Sequence, residues 1–152
     1  MKLTNFIAFA LVLPLSCGAF PALAEDALVI AQPKKVLFVM AEGDLPENQN
    51  TGRIYLGGVY KTTIVIQKVL HGELTTKEVT VDLVATSPKD LSKAKSILVL
   101  LSPIGAGGFR AVGWDELRYI ACLPRAVALK RGLEEALPIE LSTSNERCTY
   151  TK

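Results

Sequence analysis

The amino-acid sequence predicts a mainly β fold: five strands forming a small barrel, with a short helix between the third and fourth strands and a C-terminal helix. Three observations predict it. β-Branched and aromatic residues crowd the stretch from Tyr55 to Leu70, which favours a pleated strand. Lys77 to Ala85 alternates apolar and polar with a period of two. Ile97-Leu98-Val99-Leu100-Leu101 is apolar throughout, the pattern of a strand covered on both faces.

The chain opens Met1-Lys2-Leu3, runs through apolar residues from Phe6 to Leu15 and reaches Ala22-Leu23-Ala24 before Glu25-Asp26. A cationic start, an apolar centre too short to span a bilayer and small residues before an acidic pair describe a cleavable secretory signal peptide over residues 1–24. The protein is therefore expected in the bacterial periplasm or outside the cell, without a stable membrane span. A lipid anchor on Cys17 is the alternative, but Pro14-Leu15-Ser16 lacks the leucine that lipoprotein signals carry three positions before the cysteine.

Removing 24 of the 152 residues leaves 128, expected to form one domain over residues 25–152. Without Lys2, 16 basic side chains face 15 acidic ones and are scattered among them, a solvated surface with no nucleic-acid footprint. Cys122 and Cys148 remain, and in an oxidising compartment such a pair reads as a disulfide. A redox-active pair would instead favour C-x-x-C spacing, which is absent.

Each element then follows in order. Val36-Leu37-Phe38-Val39-Met40 reads as a strand, and Ala41 to Gly52, rich in Asn, Gln, Glu and Gly, as an exposed loop. Tyr55 to Leu70 reads as a long strand, bent near Gly57-Gly58. His71 to Thr76 makes the hairpin loop into the alternating strand from Lys77. Ser87-Pro88-Lys89-Asp90 offers a cap, a proline at the first helical position and an acid in the first turn, hence a short helix ending before Ser96. Ser102 to Gly108 turns the apolar Ile97 strand into a partner over Phe109 to Trp114. The glycines of that turn could suggest a phosphate cradle, but a strand follows them, whereas a cradle needs a helix N-terminus. Pro124 to Leu137 carries Val127, Leu129, Leu133, Ala136 and Leu137 near one helical face and stops at Pro138. The two cysteines would staple the flanks of that helix.

Few catalytic chemistries find support. His71 is the single histidine, and beside Gly72 it reads as a turn residue, not the base of a hydrolase. One histidine and a paired cysteine couple cannot furnish a zinc site, and no cofactor is called for. Asp44, Glu47, Asp82, Asp115 and Glu116 leave a carboxylate hydrolase open by count alone, although Asp82 reads as a solvent-facing strand position. The best candidates for binding are Trp114, Arg110, Phe109 and Tyr119, residue types favoured as interface anchors. Against this, Trp114 and Phe109 would equally serve to fill the barrel core.

The order strand, long strand, strand, short helix, strand pair is that of an OB-like barrel. The segment TTIVIQKVLHGELTTKEVTVDLVA, with SILVLLSP and GGFRAVGW after it, resembles secreted bacterial domains of the netrin-module and tissue-inhibitor-of-metalloproteinase superfamily. In that pattern a strand ends in a V-L-K-G turn, and here Val69-Leu70-His71-Gly72 stands there. The resemblance spans roughly Val36 to Trp114 and implies protein binding without catalysis. That superfamily inhibits metalloproteases with an N-terminal cysteine, and the expected first residue here is Glu25, so that mechanism is not carried over. A non-enzymatic exported module binding a protein partner is the leading expectation. An oligosaccharide or small-ligand binder using a groove beside Trp114 is the second, and a small hydrolase the third.

Overall fold

The computed structural model describes residues 25–105 and 107–150. The expected signal peptide and Cys17 lie outside them. Two antiparallel sheets make up most of the protein. The larger contains β1 (Ala27–Ala41), β2 (Gly58–His71), β3 (Glu78–Ala85), β4 (Ile97–Ile104) and β5 (Gly108–Glu116), in the order β3-β2-β1-β4-β5. The smaller contains β6 (Ile120–Pro124), β7 (Ile139–Leu141) and β8 (Glu146–Tyr150), in the order β6-β8-β7. Among the described residues two short α-helices accompany them, α1 (Pro88–Lys93) between β3 and β4 and α2 (Arg125–Lys130) between β6 and β7.

β1 begins nine residues before the expected strand at Val36. Its first part, Ala27 to Ala31, lies between β2 and β4, with Ala27 opposite Leu101 and Ala31 opposite both Ile66 and Ile97. Gln32-Pro33-Lys34-Lys35 looks like an interruption in the sequence. Pro33 nevertheless fits, because β4 has already ended its pairing there and the register shifts between Pro33 and Lys35.

The apolar character of β4 has the expected cause. Ile97, Val99 and Leu101 face one core with Ala27, Val29, Ala31, Ile64, Val81 and Leu83, while Leu98 and Leu100 face a second core with Leu28, Leu123, Leu133 and Leu137. β3 alternates buried and exposed residue by residue, as its sequence requires. At the start of α1, the Ser87 side chain accepts a hydrogen bond from the Lys89 N–H at 3.2 Å, and Leu91 is buried against the first core.

The closed barrel is corrected. Among the described residues no ladder joins β3 to β5, and the five-stranded sheet is open at that seam. Its two edges nevertheless approach, since Trp114 Nε1 donates to the Val84 carbonyl at 2.9 Å. A register shift between Leu100 and Leu101 inserts a bulge in β5, so Ala111 and Trp114, three residues apart, both reach the first core while Val112 reaches the second.

The long C-terminal helix is also corrected. α2 ends after Lys130 because Gly132 adopts φ +63°, with Gly132 N–H donating to Leu129 O at 3.3 Å and Leu133 N–H to Ala128 O at 3.0 Å. These are the two bonds of a Schellman cap, and they turn Leu133 into the second core instead of continuing the helix. β6, β7 and β8, which the sequence does not announce, wrap this region. Cys122 and Cys148 are directly opposite one another in the β6–β8 ladder and form a disulfide, with Cα atoms 4.0 Å apart. The staple thus joins two strands, and both flank α2 in sequence.

Candidate functional site

Beyond Ala31, β1 parts from β4 and becomes an edge of the sheet. From Gln32 to Ala41 it pairs only with β2, and the ribbon so formed is continued by β3 on the far side of β2, through Gly58–Val65. Leu37, Phe38, Val39 and Met40 are all exposed, Phe38 at 65 %. Because strand neighbours point to opposite faces, four consecutive exposed apolar residues put apolar surface on both faces at this edge, while Val36 before them packs against the first core. Phe38 is steadied from behind by an edge-to-face contact with the buried Tyr60, ring centroids 5.7 Å apart.

The loop from Glu42 to Gly57 at the end of this ribbon adds two more apolar side chains, Ile54 at 89 % exposure and Leu56 at 79 %. Its ends are tied by Glu42 N–H donating to Gly57 O at 2.9 Å, and its interior by Asn48 Nδ2 donating to Glu42 O at 2.9 Å and a Thr51–Tyr55 hydroxyl contact at 3.3 Å. The loop is therefore braced at several points. Six of the exposed large apolar side chains thus lie on this stretch of β1 and its loop, the kind of concentration that contact surfaces have.

The binding candidates read from the sequence lie elsewhere and do not share one face. Trp114 and Phe109 are half-buried against the first core, Arg110 is exposed on β5, and Tyr119 is 85 % exposed in the turn between β5 and β6. Beside Trp114 a groove of about 330 Å³ runs along the seam, lined by Asp82, Val84, Val112 and Pro124 among others. Asp115 serves the fold, because its two carboxylate oxygens accept from Glu116 N–H at 2.9 Å and Cys122 N–H at 2.8 Å and so tie β5 to β6. In the same turn the Arg118 guanidinium is held above its ordinary value by its hydrogen bond to, and the charge of, Glu116. Arginine stays charged wherever proteins fold, so this shift gives no pH dependence.

His71 is the last residue of β2 and not part of the loop. It is half-buried and lines an open cleft of about 550 Å³ with Glu25, Asp26, Ser102, Lys130 and Arg131. Leu28 opposite His71 and Ala27 opposite Leu101 explain the meeting, since β2, β1 and β4 end side by side. Asp26 is ion-paired with Arg131. Among the described residues no hydrogen bond joins Ser102 to His71. Also among the described residues, no group of three or more His, Cys, Asp or Glu is placed to hold a metal ion, and no helix is long and apolar enough to cross a membrane.

Compared with protein-family models, with curated proteins and with solved structures, the chain matches none.

Sequence reasoning misses the ribbon because Val36–Met40 carries the same pattern as Ile97–Leu101. A continuous apolar run signals a strand covered on both faces, and here Leu37–Met40 stay exposed. The one distinguishing signal is the flanking sequence: Pro33-Lys34-Lys35 before it and Glu42-Gly43-Asp44 after it, residues that shun an interior.

Proposed function

We propose that the protein is an exported, non-enzymatic binding module that recognises a protein partner through the β1–β2 ribbon and the loop 42–57. One observation carries this reading: Leu37, Phe38, Val39, Met40, Ile54 and Leu56 are all solvent-exposed on the outer end of β1 and the loop that follows it. Burying such side chains in a partner contributes roughly 1.5–3 kcal/mol for each that is fully covered, and aromatic anchors such as Phe38 concentrate that energy. We further read the strand order, with β1 shared between β2 and β4 and α1 between β3 and β4, as an OB-type barrel left open at the β3–β5 seam. The resemblance to netrin-module domains belongs to the same proposal.

The test is affinity capture with the purified exported protein and with its Phe38→Lys and Leu56→Ser variants. A partner retained by the native protein and lost by both variants supports the reading. Equal retention by all three overturns it.

The seam groove beside Trp114 favours a second reading, an extended ligand such as an oligosaccharide lying between β3 and β5. A saturable change in Trp114 fluorescence on adding glycans would support it, and an unchanged spectrum across a glycan panel would remove it.

A further inference from the structure

The ribbon has a free side as well as exposed apolar side chains. Backbone groups of Gln32–Ala41 that point away from β2 have no strand beside them, and among the described residues no hydrogen bond outside the β1–β2 ladder reaches them. Natural proteins guard such edges with proline and lysine. Here the guards, Pro33, Lys34 and Lys35, stop where the apolar run begins, leaving Val36–Ala41 as an open template for one more strand.

The chemistry of the template is self-complementary. Reading along β1 into the turn after it, a basic pair, Lys34-Lys35, precedes six apolar residues, Val36–Ala41, and two acids, Glu42 and Asp44, follow them. A second strand of the same sequence laid antiparallel and centred on Phe38 sets Val36 against Met40, Leu37 against Val39 and Lys34 against Glu42, with Asp44 just beyond. Both ends of the ladder then carry opposite charges, because a two-fold axis repeats each contact. Asp44 and Lys35 are exposed and form no ion pair among the described residues. Lys34 makes only a loose one, to Glu78 at 3.5 Å with both side chains largely exposed, which contributes little to the monomer.

We infer that the partner of this surface is a second copy of the chain, joined by antiparallel pairing of the two β1 edges about Phe38. This rests on the reading of the ribbon as a contact surface and names its occupant. Pairing supplies partners for the amides and carbonyls of Val36–Met40 that point away from β2, and brings Phe38 against its own copy, Leu37 against Val39 and Met40 against Val36. The result is one sheet running through both molecules, from β3 of one to β3 of the other.

Sedimentation of the purified exported protein from about 1 to about 200 μM tests this, with far-UV circular dichroism to confirm that each variant is folded. A dimer is expected. Phe38→Lys should abolish it, and Lys34→Glu with Lys35→Glu should weaken it at least about tenfold, as should Glu42→Lys with Asp44→Lys. The chain carrying all four reversals should regain dimerisation, since the attraction is restored with opposite sign; this rescue separates a charge contact from simple damage. A monomer throughout, whether retained residues 1–24 or nothing covers the edge, overturns the inference. So does a dimer indifferent to Phe38→Lys, or charge reversals without rescue. If the protein is monomeric and capture still depends on Phe38, the contact surface stands and its occupant is another protein. If it dimerises through Phe38 and captures nothing else, the second copy is the whole of the partner reading.

Discussion

Trp114 reads from the sequence as either a contact residue or a core filler, and its position shows why single residues resist such sorting. Its ring packs against the first core while its indole N–H spans the seam to Val84. Trp114→Phe keeps most of the packing and removes the bond. It should lower stability by about 1–2 kcal/mol, read as a shift in the urea midpoint at constant slope. Gly72 offers a sharper contrast. It sits at φ +75°, and a Cβ there would collide with the Asp26 carbonyl, whereas Gly132, at φ +63°, has open space around it. Gly132→Ala should therefore cost about 1 kcal/mol for its backbone conformation alone, and Gly72→Ala distinctly more, because β1 must also shift. Equal losses in urea denaturation would show that β1 yields easily. Gly72 is legible as a turn residue from the sequence; the neighbour that forbids a side chain there is not, because Asp26 lies 46 positions away along the chain.

Among the elements, the small sheet depends on two cross-links. The Cys122–Cys148 disulfide joins β6 to β8, and Glu140 on β7 accepts ion pairs from Arg125 and from Arg147 of β8, both at 3.1 Å. The disulfide spans 26 positions in sequence, so reducing it should cost about 3–4 kcal/mol on the chain-entropy model. A lower urea midpoint in reductant would register that loss, and an unchanged midpoint would remove the disulfide from the stability account. Glu140→Ala leaves two arginines without their shared carboxylate. These groups are partly screened by solvent, so the expected loss is only about 1 kcal/mol by the same measurement. β2, β3, α1 and β4 are legible because each carries a strong local signal: β-branched density, alternation, a cap with proline, and a continuous apolar run. β6 to β8 are not, being three to five residues long with no room for a period to declare itself. Gly132 does announce the end of α2 in the sequence, but the apolar spacing running on to Leu137 masks it.

For the molecule as a whole, the two-sided burial of β4 and the exposure of the ribbon predict a gradient of local stability. Hydrogen exchange should be slowest at Ile97–Leu101, where both faces are covered, and fast for those amides of Leu37–Ala41 that point away from β2. Exchange along the ribbon should slow at concentrations where the protein dimerises. Protection there that is independent of concentration would contradict a free edge. The expected export route has its own check: an intact mass beginning at Glu25 supports cleavage after Ala24, and one beginning at a lipidated Cys17 overturns it.

The sequence by itself determined the mainly β composition, the order of the first five strands around α1, and the cysteine pair, because strand periodicity, helix caps and residue counts act over a few neighbouring residues. Only the tertiary structure decided the rest. It left the sheet open at the β3–β5 seam, folded the C-terminus into a second sheet over the outer face of β4, and left Leu37–Met40 exposed while burying Ile97–Leu101. Those two runs are alike in apolar character. What separates them is whether another part of the chain arrives to cover them, and that depends on residues distant in sequence.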